Sequence, residues 1–137
     1  MKWFTLVLAL LVPSRRLPSQ ATLADAARQA RDAWLAHDAQ ALVGQSPSIV
    51  LEIPGADPSS PLGHAQAVEL LRRHLQSARE QGLTITAVRE LAGGRGFVEL
   101  ERRYVVRGTA DELRETVFLG FRRVGRRWGL SELRSTS

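Results

Sequence analysis

Cysteine is absent from this 137-residue sequence, which also has a single lysine, a single tyrosine and three histidines. The lack of cysteine excludes disulfides, thiolate metal sites, a cysteine nucleophile and a lipid-modified N-terminal cysteine. A chain of this length hides roughly two-thirds of its unfolded surface on folding, so one domain can build a core without such staples. The three histidines, His37, His64 and His74, are the nitrogen ligands on offer, and no pair has the close spacing of a helical zinc motif. Neither a metal nor a cofactor is expected. Internal repeats and low-complexity stretches are also missing.

The longest apolar run, Trp3 to Val12, has ten residues. As a helix it would span about 15 Å, half of a bilayer core of about 30 Å, too short for a membrane span. Lys2 precedes the run, Pro13 closes it, and Ser19-Gln20-Ala21 forms a small-x-small site, the layout of a secretory signal. Arg15 and Arg16 follow the run, where positive charge opposes export. The expectation is a signal peptide over residues 1–21 and one exported domain, periplasmic or secreted, over 22–137, with a retained tether or a misassigned start as the alternatives.

The formal charge of +5 suggests nucleic acid, but removing Lys2, Arg15 and Arg16 leaves 16 basic against 14 acidic side chains. The remaining arginines alternate with acids, as in "ELERRYVVRG" and "DELRET". That is an ordinary surface, and no nucleic-acid partner is expected.

From Ala21 to His37, residues Leu23, Ala27, Ala30 and Trp34 recur at helical spacing, with Arg28, Arg31 and Asp32 on the other face. Asp38 then caps a short second helix through Leu42, ended by Gly44. The His37-Asp38 pair reads as a corner between helices in preference to a catalytic pair. Residues 48–53 alternate as a strand with Ile49, Leu51 and Ile53 on one face, and "PGADPSSPLG" is an irregular loop. A helix is predicted from His64 to about Ala78, with Val68, Leu71, Leu75 and Ala78 as its apolar stripe, Glu80 in solvent and Gly82 as its stop. His64 falls in the first turn at the surface, and His74 lies off the stripe, in solvent. Four alternating runs, 83–91, 96–107, 113–123 and 127–134, are separated by "AGG", "GTADE" and "GR". Turns this short require an antiparallel meander.

The stretches "AWLAHDAQALV", "GHAQAVELLRRHL" and "GRRWGLSELR", in this order, resemble the first-helix corner, the glycine-started helix and the closing hairpin of the nuclear transport factor 2-like superfamily. The resemblance runs from about Ala24 to Arg134. It implies an α+β fold in which N-terminal helices pack on a strongly curved, mainly antiparallel sheet, the cystatin-like cone. The superfamily contains ketosteroid isomerases, polyketide cyclases and dehydratases beside non-enzymatic and uncharacterised exported members. It also implies that Asp38 is structural.

In such a cone, strand parity says which side chains face the pocket. Val98, Leu100, Arg102, Tyr104 and Val106 share the inward face of one strand. Glu115, Val117, Leu119 and Phe121 share that of the next, and Trp128, Leu130, Glu132 and Arg134 that of the last. The pocket candidates are therefore Trp34, His37, Arg102, Tyr104, Glu115 and Glu132. A carboxylate beside Arg102 has its pKa lowered and makes a poor base near neutral pH, so a structural ion pair with Glu115 or Glu132 is the expectation. Tyr104 can pack its ring and bond a backbone carbonyl, or donate to a ligand oxygen. Trp34 and Trp128 read as core residues. The resemblance implies that the family's enzymes use an aspartate or histidine opposite a donor. This sequence departs from that pattern, because the meander's one aspartate, Asp111, falls in a turn.

No residue is singled out as catalytic. The expected function is an exported, non-enzymatic domain binding a small apolar molecule or a protein partner. The alternative is a small-molecule isomerase, dehydratase or cyclase using Tyr104 and a pocket glutamate. Phe97, Val105 and Phe118 on the outer sheet face suggest a homodimer.

Overall fold

The computed structural model describes residues 22–53 and 61–136. Helix α1 spans Leu23–Leu35. Thr22 opens it through a capping box: its hydroxyl accepts from the Asp25 amide, and the Asp25 carboxylate accepts from the Thr22 amide. Leu23, Ala27, Ala30 and Trp34 are buried as the periodicity requires. The helix ends in a turn that His37 makes at φ 54, the left-handed region histidine tolerates better than most residues. Asp38 follows and caps α2, Ala39–Val43, by accepting from the Ala41 amide at 3.0 Å. Gly44, at φ 61, closes it.

Strand β1, Ser48–Glu52, buries Ile49 and Leu51. It pairs antiparallel with the short β2, Leu62–Gly63, whose two residues read as loop in the sequence. Most of that loop, residues 54–60, lies outside the described residues, as does the N-terminal segment 1–21. Helix α3, His64–Gln76, buries Ala67, Leu71 and Leu75 against the sheet.

Four long strands complete the fold: β3 Ala78–Leu91, β4 Arg95–Val106, β5 Glu112–Val124 and β6 Arg127–Thr136. The predicted meander is present. The sheet order is β2-β1-β6-β5-β4-β3, with β1 parallel to β6. The helices cover its concave face, and Trp34, Val98, Leu100, Val117, Leu119 and Leu133 meet in one core. This is the expected α+β cone.

The strands depart from simple alternation in three places. In β3 the register slips at Gln81 and at Thr86, and in β6 Ser131 is the extra residue between the Gly120–Glu132 and Phe121–Leu130 pairs. An extra residue turns every later side chain to the opposite face. Beyond Ser131 it is Leu133 and Ser135 that are buried, while Glu132 and Arg134 leave the inward row and pair with each other at 3.0 Å. The helix predicted to Ala78 stops two residues earlier, and Ala78, Glu80 and Gly82 belong to β3. Gly82 is not a helix stop; a Cβ there would lie 2.8 Å from the Arg103 guanidinium. On the outer face, Phe97 and Phe118 are half-buried with ring centroids 5.6 Å apart, whereas Val105, expected to be exposed, is buried.

Candidate functional site

Arg102 points inward from β4, directly across from Glu115 on β5. Its Nη1 donates to Glu115 Oε1 at 2.6 Å. Its Nε donates to Glu80, 2.9 Å from Oε2, and its Nη2 donates to Glu80 Oε1. The side chains of Arg102, Glu80 and Glu115 are only 2%, 4% and 1% exposed. The guanidinium carbon also lies 3.9 Å from the Tyr104 ring centroid and 5.1 Å from that of Trp34. Burial alone would favour a neutral Arg102, but hydrogen bonds and charge from Glu80 and Glu115 outweigh it and hold the guanidinium firmly protonated. The planar fork of donors suits this double clamp in a way a lysine would not.

The expected ion pair therefore forms with Glu115, and its second acid is Glu80, not Glu132. Sequence alternation missed Glu80 because the slip at Gln81 brings it inward, opposite Tyr104. A helix extended to Ala78 also hid the start of that strand, whose predicted run begins only at Leu83.

Tyr104 is half-buried, with its hydroxyl 3.5 Å from Glu115 Oε2 and, among the described residues, no bond to a backbone carbonyl. Burial, then the charge of Glu115, raises the phenol's pKa, so it remains a donor at neutral pH. His74, expected in solvent, is a correction. Its ring stands edge-on to Trp34, with centroids 6.0 Å apart at 89°, and its Nε2 is buried without a partner. The reach of a tryptophan from a neighbouring helix is invisible to a periodicity count on α3 alone. Burial first, then the charge of Arg102, lowers the pKa of His74, with Glu115 and Glu80 opposing. The Trp34 indole Nε1 is likewise buried and unpartnered among the described residues.

Of the predicted candidates, Trp34, Arg102, Tyr104 and Glu115 come together. His37 does not: no hydrogen bond, ion pair or ring contact joins its side chain to that cluster, and its role is the left-handed turn. Glu132 is turned away from that cluster by the Ser131 slip, toward the β5–β6 side where a cavity opens. Trp128 is half-buried rather than core, and Arg123 lies 5.6 Å from its ring centroid.

A cavity of about 850 Å3 opens between α1, α2 and the β5–β6 hairpin. Its apolar wall includes Ala30, Leu42, Val43, Phe121, Trp128 and Leu130, and its polar groups include Gln45, Ser46, Arg127 and the predicted candidate Glu132. Arg127 Nη1 donates to Gln45 Oε1 at 2.8 Å. Neither Arg102 nor Tyr104 lines it. Among the described residues no group of three or more histidines and carboxylates is placed to hold a metal. The arrangement offers an apolar chamber and, separately, a closed polar cluster whose carboxylates are already committed.

No protein-family model matches the sequence, and no curated protein does. Solved structures do. A ketosteroid isomerase-like protein from Erwinia carotovora atroseptica aligns with a TM-score of 0.71 at 16% identity, covering 86% of this chain and 95% of that one. A protein of ketosteroid isomerase-like fold from Catenulispora acidiphila, solved in complex with trimethylamine, aligns at 0.63 and 16% identity over 85% and 87%. A nuclear transport factor 2-like protein of unknown function from Shewanella oneidensis aligns at 0.60 and 15% identity over 84% and 96%. With this strand order and these likenesses, the chain has the nuclear transport factor 2-like, ketosteroid isomerase-like fold.

Proposed function

We infer that this is an exported, non-enzymatic domain that binds a small apolar molecule in the cavity between α1, α2 and the β5–β6 hairpin. The observation that carries this reading is a chamber of about 850 Å3 with a largely apolar wall, beside carboxylates that are already paired: Glu80 and Glu115 with Arg102 away from it, and Glu132, on its wall, with Arg134. That volume lies in the range of ordinary small-molecule sites. The trimethylamine complex of a protein with the same fold supports small-molecule occupancy. The Phe97–Phe118 pair on the outer sheet face supports a homodimer, and the signal-like N-terminus supports export.

The test is uptake of an environment-sensitive apolar fluorophore by the purified chain, read by its emission and by quenching of Trp128. One site per chain is expected, lost in Gln29→Trp, which obstructs the cavity from an exposed position of α1, while the thermal melt is kept. Absence of saturable uptake by the folded protein would remove the reading.

The enzymatic alternative, an isomerase, dehydratase or cyclase, rests on the Tyr104 hydroxyl lying 3.5 Å from Glu115 Oε2. Its weakness is that Glu115 already accepts from Arg102. A turnover that Tyr104→Phe abolishes would favour it.

A further inference from the structure

One end of the sheet gathers charge that the fold itself does not neutralise. The β3–β4 and β5–β6 turns lie side by side there, joined by the Arg123 amide donating to the Gly94 carbonyl at 2.7 Å. Around them stand Arg95, Arg122, Arg123, Arg126 and Arg127, all exposed, and no carboxylate pairs with any of them among the described residues. Arg95 and Arg122 are direct cross-strand partners, a like-charge juxtaposition that sheets normally avoid. Arg89 and Glu90, neighbours on β3, offset one another in charge. Elsewhere on the sheet Arg103, Arg114 and Arg134 have acidic partners, and at the opposite end just Arg79 and Arg107 lack one among the described residues. The concentration is therefore local, although the interleaved sequence conceals it.

Two large apolar side chains project from the same turns. Val124 is 72% exposed and Leu91 46% exposed, at the last positions of β5 and β3. Arginines encircling protruding apolar side chains match a surface with negative headgroups above an oily layer. Nucleic acid would use the arginines but has no place for Leu91 and Val124. The position of the chain's entry agrees. Leu23, at the start of α1, packs against Gly96 beside these turns, so the described part of the chain begins at this end. The cavity reaches it too, since Val124 and Arg127 are among its lining residues.

We propose that the paired hairpin turns form a docking tip for an anionic phospholipid surface, with Arg95, Arg122, Arg123, Arg126 and Arg127 at the headgroups and Leu91 and Val124 entering the interface. The docking stands whether or not the cavity takes a ligand.

The test is flotation of the full chain with phosphatidylglycerol vesicles and with phosphatidylcholine vesicles, over a salt series. Binding to the anionic vesicles is expected, weakening with salt as the charges are screened. R122Q/R123Q/R126Q/R127Q should lower partitioning about 100-fold or more. Leu91→Ser with Val124→Ser should lower it further at constant charge. Should the quadruple variant fail to fold, Arg126→Glu, at an exposed turn position, supplies the charge arm. Equal binding to both vesicle types, or binding indifferent to the arginines, would assign attachment to the N-terminal apolar run and overturn the proposal. Capture of duplex DNA that survives the two serine substitutions, without vesicle binding, would overturn it in favour of nucleic acid.

Discussion

Arg102 and Glu115 face each other across β4 and β5 with Nη1 and Oε1 2.6 Å apart, and both side chains are closed off from solvent. Glu80 completes the clamp from β3. Removing one partner leaves an uncompensated buried charge, the costliest outcome for such a group. Arg102→Ala should therefore destabilise the fold by about 3–5 kcal/mol, measured by urea unfolding. Replacing Arg102, Glu80 and Glu115 together by apolar residues of similar volume should cost much less. Equal losses from the single and the triple variant would contradict this account.

His74 makes stability depend on pH. Its folded pKa lies below the ordinary histidine value of about 6.5, from burial and from Arg102. The unfolded chain therefore binds the proton more readily, and stability rises with pH through this window. The contribution is complete above the unfolded value and is lost as pH falls below it towards the folded one. Thermal melts of the wild type should fall between pH 7 and pH 5, and His74→Phe should flatten this slope. A slope unchanged by the substitution would assign the dependence to other groups.

Gly96 and Gly82 should respond differently to alanine. A Cβ at Gly96 would lie 2.7 Å from the buried Leu23 side chain, and one at Gly82 would lie 2.8 Å from the mobile end of exposed Arg103. Gly96→Ala should cost about 1–3 kcal/mol through overpacking. Gly82→Ala should be nearly neutral because the guanidinium can swing aside. Chemical denaturation of the two variants distinguishes them.

Asp38→Ala should lose the cap on α2, about 1 kcal/mol of stability. Asp38→Asn should retain most of it. Fluorophore uptake per folded molecule should be unchanged in both, because Asp38 lies outside the cavity wall.

The helix corner and the meander could be read from sequence because their causes are local. Asp38 caps an amide three residues on, Gly44 takes a positive φ, and short glycine turns at Gly93, Gly94 and Gly125 reverse the strands. Arg102, Tyr104 and Glu115 were placed correctly because no slip interrupts β4 against β5. Glu132 and Glu80 exchanged roles because Ser131 and Gln81 each add a residue that alternation does not count. His74 was misplaced for a related reason: its environment is made by Trp34, forty positions earlier on another helix.

The amino-acid order by itself determined the helix-then-meander plan and the inward parity of β4 and β5, since period, caps and turn residues act over a few positions. Only the tertiary structure decided which glutamates reach Arg102, that His74 is buried, and that arginines scattered through β4, β5 and β6 converge on one end. Those outcomes depend on cross-strand register and on contacts between distant segments, where a single bulged residue reverses a whole face.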